Sequence, residues 1–222
     1  MTTPFYKLML VTHRQGRPID NYLRFIKECV EAGVTSIQLR EKGASPEFLL
    51  DYALQLKVLL DSYQVPLIIN DNVDLALEVD AHGVHLGQSD GCPVHARQRL
   101  GADKWLGLSI ETEDDLIRAN ASRVDYVAAS AVFPTINKAN IRTIWGLKGL
   151  NSLVKNSLHP VIAIGGINQY NIHEVMMTGA KGVAVIGQLH DAPDPSLMTT
   201  HLRQLIDSSM HTDVGRNNAQ SD

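Results

Sequence analysis

The chain has 222 residues, 44% of them hydrophobic and 20% charged, with a formal net charge of -4. That size suits one large α/β domain or two small ones, and that composition supports a real core. The acidic balance lacks the basic footprint of a nucleic-acid binder, and no apolar run nears the roughly 20 residues that cross a membrane.

Short β-branched runs alternate along the chain with stretches of helical period. A first strand is predicted over Lys7–Val11 and a helix over Asn21–Ala32, with Gly33 just past it as a left-handed cap. The apolar stretch Leu8–Val11 is too short for a signal-peptide core. A strand over Thr35–Arg40 leads to a helix over Pro46–Tyr63, where Ser45 supplies the N-cap and Pro46 the first helical position. Next come strand Pro66–Asn70 and helix Val73–Val79, then strand Gly83–Leu86 and helix Val94–Leu100. Strand Trp105–Ser109 precedes helix Glu113–Asn120, whose first turn is acidic behind Thr112, as the helix dipole favours. Strand Val124–Ala129 pairs with helix Leu147–Val154, strand Val161–Ile164 with helix Tyr170–Thr178, and strand Gly182–Ile186 with helix Pro195–Ser208.

Eight βα units over residues 1–210 suggest a single-domain (β/α)8 TIM barrel. A doubly wound open sheet is the alternative, although no topological switch point stands out. Residues 211–222, HTDVGRNNAQSD, are polar and aperiodic and are expected to form a disordered tail. Cys29 and Cys92 lack CxxC or metal spacing, so each is expected to be a buried or half-buried free thiol, in keeping with a cytoplasmic protein. A homo-oligomer is compatible with the sequence.

In a barrel, polar residues at the C-terminal strand ends line the active site. The second strand ends in Gln38-Leu39-Arg40-Glu41-Lys42, and alternation sends Gln38, Arg40 and Lys42 to one side. Asn70 and Asp71 end the third strand, Gly87-Gln88-Ser89-Asp90 follow the fourth, and Ser109 ends the fifth. Thr135, Asn137 and Lys138 lie after the sixth, and Gly165-Gly166 and Ile186-Gly187 after the last two. Singly these have ordinary readings: a solvated lysine, a helix cap at Asp71, a tight turn at Gly165-Gly166. His82 and His85 resemble a spaced metal pair but lack an evident third ligand.

Together they point to bound anions. Arg40, Lys42 and Lys138 at one rim call for an anion, and arginine and lysine hold phosphate oxygens. Asp71 and Asp90 at neighbouring strand ends call for a cation, and few hard oxygen ligands joined by substrate phosphates describe Mg2+. The glycines after the last two strands offer backbone N–H groups to a second phosphate. The expectation is one diphosphate ligand and one monophosphate ligand in a single mouth.

QLREK at 38–42, IIND at 68–71, GVHLGQSD at 83–90, LGLS at 106–109, VFPTINK at 132–138 and AIGGIN at 163–168 resemble the thiamine phosphate synthase family in register from Leu8 to Ile186. The resemblance implies a transferase that joins an aminopyrimidine bearing a diphosphooxymethyl group to a thiazole bearing a phosphooxyethyl group, or its carboxylated form. Thiamine phosphate and diphosphate are the products, formed through a pyrimidine-stabilised carbocation. It further implies that Gln38, Leu39, Arg40, Glu41, Lys42, Asn70, Ser109 and Lys138 hold the pyrimidine diphosphate, with Arg40, Lys42, Ser109 and Lys138 catalytic. Thr135, Ile136, Asn137, Gly166, Ile186 and Gly187 would hold the thiazole phosphate, and Asp71 and Asp90 the Mg2+.

The chain departs from the family pattern at Asn72, where arginine is frequent, at Glu111, where histidine is common, at Asn137 for threonine and at Gly187 for serine. The last two predict a weaker grip on the thiazole phosphate. Two other readings share these residues: a thiazole tautomerase barrel, which has no diphosphate to hold, and a non-catalytic paralogue that binds thiamine precursors. Without the resemblance, a sugar-phosphate aldolase or isomerase barrel would stand, but no Schiff-base lysine or acid–base pair stands out. The loop from Phe133 to Trp145 is long enough for a mobile cover.

Overall fold

The computed structural model describes residues 4–138 and 140–217, the side chains of 210–217 excepted. Eight strands follow the predicted order: β1 (Leu8–Val11), β2 (Ser36–Leu39), β3 (Leu67–Asn70), β4 (Gly83–Leu86), β5 (Trp105–Ile110), β6 (Tyr126–Ser130), β7 (Val161–Ile164) and β8 (Gly182–Val185). Each pairs in parallel with the next, and Leu8–Leu10 pair with Val183–Val185 to close the barrel. Closure rules out the open doubly wound sheet.

Helices return the chain between strands: α1 (Ile19–Glu31), α2 (Pro46–Asp61), α3 (Val73–Glu78), α4 (Pro93–Leu100), α5 (Glu113–Asn120), α6 (Gly146–Asn156) and α7 (Ile172–Met177). After β8 come the short α8 (Gly187–His190), which the sequence did not predict, and α9 (Pro195–Asn217). The backbone of α9 continues past His211, where a disordered tail was expected, while residues 218–222 lie outside the described residues. No described helix is long and apolar enough to cross a membrane.

Local chemistry explains the helix starts. The Ser45 hydroxyl accepts from Phe48 N–H at the head of α2, and Thr112 and Asp115 form a reciprocal capping box on α5. Asn72, not Asp71, caps α3, accepting from Leu75 N–H at 3.0 Å.

Alternation divides the strand residues between two cores. Leu8, Leu10, Ile37 and Leu39 pack outward against the helices. Met9, Val11, Ile68, Tyr126, Ala128, Ile162 and Ala184 fill the barrel interior. At its lower end Phe5 stacks on Trp105, with centroids 3.7 Å apart, and meets Tyr126 edge-on. A Cβ on Gly107 would stand 2.2 Å from the Tyr126 ring and 2.5 Å from the His85 ring, so glycine is what lets both rings share the interior. The aromatic floor closes the bottom and leaves the upper end open.

Candidate active site

The open end is a cavity of about 870 Å³ at the C-terminal ends of the strands. Gln38, buried on β2, faces the interior with its amide nitrogen 3.3 Å from the Met9 sulfur. Arg40 is held at its backbone, where its N–H donates to the Thr12 hydroxyl at 2.8 Å, and its guanidinium reaches to 3.5 Å from the Asn137 carbonyl. Lys42 extends toward solvent with Nζ 4.0 Å from the Asp71 carboxylate.

Asp71 has a φ of +67°, a left-handed conformation it shares with Gln15, Gln64 and Asp80 outside the cavity. Its N–H donates to the His85 carbonyl at 2.8 Å. Asp90 is set by accepting from the Gly87 N–H at 2.8 Å and the Ser89 hydroxyl at 3.2 Å. Burial, and then the neighbouring Asp90, push the Asp71 carboxyl up to about 6, against the opposing pull of Lys42. Two carboxylates this close are unfavourable together until a cation joins them, so the donor set fits a hard divalent ion. Among the described residues no group of three or more His, Cys, Asp or Glu side chains could hold a metal. Two protein carboxylates completed by water and substrate oxygens is the pattern Mg2+ uses.

Ser109 on β5 lies 3.0 Å from His85 Nε2, and His85 Nδ1 lies 3.0 Å from the Tyr126 hydroxyl. Burial first, then the Lys138 charge, depress His85 to about 4, so this Tyr126–His85–Ser109 line is neutral near pH 7. His82 is elsewhere: its Nδ1 accepts from Leu67 N–H at 3.2 Å and its ring lies 6.2 Å from Trp105. An odd spacing on a strand sends the two histidines to opposite faces, so they do not form a metal pair.

The β6–α6 connection carries Thr135, Asn137 and Lys138. Its base is fastened to the barrel where Trp145 N–H donates to the Ala131 carbonyl at 3.0 Å and the Trp145 indole to the Ile110 carbonyl at 3.2 Å. Lys138 reaches back into the mouth, where it pairs with Glu111 and lies 3.2 Å from the Ser130 hydroxyl. The rim cations are therefore less isolated than the sequence suggested, since Lys42 and Lys138 each meet a carboxylate.

At the end of β7, against the base of that connection, Gly165 and Gly166 have φ of +96° and +66°. A Cβ on Gly166 would meet the Phe133 Cβ and the Pro134 carbonyl at 2.7 Å, so both shape and conformation demand glycine. Ile186 and Gly187 complete this glycine wall. The Ile186 carbonyl accepts from His190 Nδ1 at 2.8 Å, while His190 Nε2 lies 2.6 Å from the Tyr22 hydroxyl. The Asp191 carboxylate stands 3.0 Å from where a Gly187 Cβ would be, in the space a larger residue would claim.

Gln38, Arg40, Lys42, Asn70, Asp71, Asp90, Ser109, Thr135, Asn137, Lys138, Gly166, Ile186 and Gly187 all line this one cavity. Leu39, Glu41 and Ile136 do not. Leu39 is 2% exposed in the outer core, Glu41 turns away to accept from Arg14 N–H at 3.0 Å, and Ile136 is 97% exposed. Residues that sequence reasoning missed here are His85, Glu111, Ser130, Arg142 and Asp191. For Glu111 a signal existed: it stands two residues beyond Ser109 and so shares its face.

Burial holds His190 at about 4, as it does His85. An unfolded histidine protonates near pH 6.5, so between about 6.5 and 4 the unfolded state binds more protons and stability falls as pH falls. His190→Gln should lose about 2 kcal/mol less than the parent between pH 8 and pH 5. Urea unfolding at both pH values measures this, and equal losses in the two proteins would refute it.

A family model described as thiamine monophosphate synthase matches residues 8–189. A Chlamydia caviae protein named thiamine-phosphate synthase is 44% identical over 210 residues, covering 95% of this chain and 99% of its own. One of the same name from Vibrio parahaemolyticus is 43% identical over 202 residues, covering 91% and 98%. The solved structure of a thiamine phosphate pyrophosphorylase from Pyrococcus furiosus superposes with a TM-score of 0.84 at 34% identity, covering 92% of this chain and 97% of that one.

Proposed function

The chain belongs to the thiamine monophosphate synthase family, and from that premise we propose how its mouth joins a pyrimidine diphosphate to a thiazole phosphate. The observation that carries the reading is the division of the cavity. The ends of β2 to β4 and the β6–α6 connection bring Arg40, Lys42 and Lys138 to the same cavity as the Asp71–Asp90 pair, and the ends of β7 and β8 bring Gly165, Gly166 and Gly187. The first set suits a diphosphate with Mg2+, the second a monophosphate.

The reaction breaks the bond between the pyrimidine methylene carbon and the diphosphate oxygen, the electron pair leaving with diphosphate. The thiazole nitrogen then gives its lone pair to that carbon. Bound at Asp71 and Asp90, Mg2+ would neutralise charge on the leaving group. Arg40, Lys42 and Lys138 supply the rest of that neutralisation from fixed positions, where preorganised charge acts most strongly. Gln38, Asn70 and the neutral Ser109–His85 pair hold the pyrimidine ring, and the glycine wall with Thr135 and Asn137 holds the thiazole in line. No protein nucleophile is required. The paired carboxylates and three cations favour this chemistry over the tautomerase reading, which has no diphosphate to hold. Cys29 is buried as expected, whereas Cys92, at the head of α4, is exposed; two free thiols are in keeping with a cytoplasmic location.

The test is stoichiometry. With both substrates and Mg2+, each substrate consumed should yield one thiamine phosphate and one diphosphate, and neither substrate alone should turn over. Loss of either substrate by itself, without thiamine phosphate, would refute the reading.

Asp191 predicts a specificity effect. Its carboxylate beside Gly187 repels a phosphate, so Asp191→Asn should lower KM for thiazole phosphate by roughly 3–10-fold, an exposed like-charge effect. The KM for the pyrimidine diphosphate should not move. Steady-state kinetics in each substrate checks this, and equal shifts in both would count against the assignment.

A further inference from the structure

Glu111 lies on the mouth side of β5 with only 7% of its surface exposed. Its main chain is fixed, since its N–H donates to the Asp115 carboxylate of the α5 capping box at 3.0 Å. Its side chain faces two cations of the β6–α6 connection: it pairs with Lys138 through one oxygen, and Arg142 Nε lies 3.9 Å from the other. A carboxylate this buried is retained at a cost unless it is paired. Yet its partner Lys138 is the very group that the proposed reading assigns to a diphosphate. Glu111 and a bound diphosphate are thus rival anions for one ammonium group.

We infer that Glu111 is a positioning residue that holds Lys138 in the free mouth, yields it to the diphosphate and takes it back as diphosphate leaves. This rests on the proposed reading of the mouth. Glu111 acts in two ways. It keeps Lys138 folded into the cavity rather than out in solvent, using Ser130 as a second partner at 3.2 Å. By competing for Lys138 it also weakens the diphosphate product complex and hastens its dissociation. No bond to Glu111 forms or breaks; only an ion pair is exchanged.

The test is calorimetric binding of inorganic diphosphate with excess Mg2+, which needs no turnover. Glu111→Gln keeps the shape and removes the charge, and should lower the diphosphate Kd by about tenfold, a charge-pair effect in a partly solvated mouth. Glu111→Asp keeps the charge and should stay within about twofold of the parent. In a Lys138→Ala background the Glu111→Gln gain should shrink to about twofold, because the carboxylate acts mainly through that lysine. Should Glu111→Gln fold poorly, Glu111→His at pH 8, where an ordinary histidine is neutral, makes the same comparison. An unchanged or weaker Kd in the charge-removing variant overturns the inference. An identical gain without Lys138 overturns it too, since the effect would then not run through that side chain. Absence of diphosphate binding in the parent sinks the reading of the mouth, and the inference falls with it; binding in the parent without the gain sinks the inference alone.

Discussion

Lys138→Ala is expected to lower kcat for diphosphate release by about 100–1000-fold, the loss typical when one preorganised charge-stabilising group is removed from an active site. Lys138 sits on a long connection but is drawn into the cavity by Glu111 and Ser130, so its charge is in place before substrate arrives. Charge on the leaving oxygen grows as the bond breaks, so the interaction is stronger in the transition state than in the ground state. The loss should therefore fall mainly on kcat, with KM for the pyrimidine diphosphate moving less than about tenfold. Lys138→Arg keeps the charge with a different shape and should recover part of the rate. If the lysine only fastens the connection, alanine would instead lower thermal stability and leave kcat near the parent value, and the assignment would fail. Melting curves beside the kinetics separate the two outcomes.

Asp71→Asn is expected to act in opposite directions on activity and on stability. Removing one of two carboxylates should raise the Mg2+ concentration needed for half-maximal rate by roughly 100-fold, at the upper end of what altering a metal site's partners costs. The same change should stabilise the metal-free protein by about 1–2 kcal/mol, discounted for partial exposure. The carboxyl takes its proton near 6 in the folded state against an ordinary 3.8. Between those values the folded state binds more protons than the unfolded, so stability falls as pH rises and stays lowered above about 6. An amide carries no such cost, and asparagine also tolerates the φ of +67° better than most residues. Stability held back at a functional position is the expected trade. A variant with unchanged Mg2+ dependence would remove Asp71 from the metal site, and one less stable than the parent would show that its charge is compensated by the fold.

Much of this was legible because the period of a strand is two. Alternation placed Gln38, Arg40 and Lys42 on one side, and they line the cavity together. The same rule argues against Leu39 and Glu41, which the family motif carries as part of an unbroken run. Leu39 belongs to the outer core, and Glu41 braces the β1–α1 connection at Arg14. The motif likewise carries Ile136, whose side chain stands almost fully exposed between Thr135 and Asn137. Four residues of α8 show no helical period and carry no cap, so nothing in the sequence marked them. Asn72 departs from the family pattern, yet its structural work is plain: it caps α3, which freed Asp71 to face the mouth.

What could not be read from the sequence depends on neighbours far along the chain. His85 becomes a neutral partner of Ser109 because a glycine at 107 admits its ring and Tyr126 closes over it from another strand. Alternation puts Glu111 on the face of Ser109, but its pairing with Lys138 and Arg142 exists only once the β6–α6 connection brings those side chains to it. Such pairings arise only when the barrel closes.

This mouth is expected to drive out diphosphate only with both substrates present, and at full rate only with a divalent ion. Single-turnover diphosphate release from the purified chain, with and without thiazole phosphate and with and without Mg2+, tests it most directly. Full release is expected with all components, no release without thiazole phosphate, and release at least about 100-fold slower when Mg2+ is omitted. Equal release rates with and without Mg2+ would contradict the assignment of Asp71 and Asp90, and no release under any condition would contradict the enzyme.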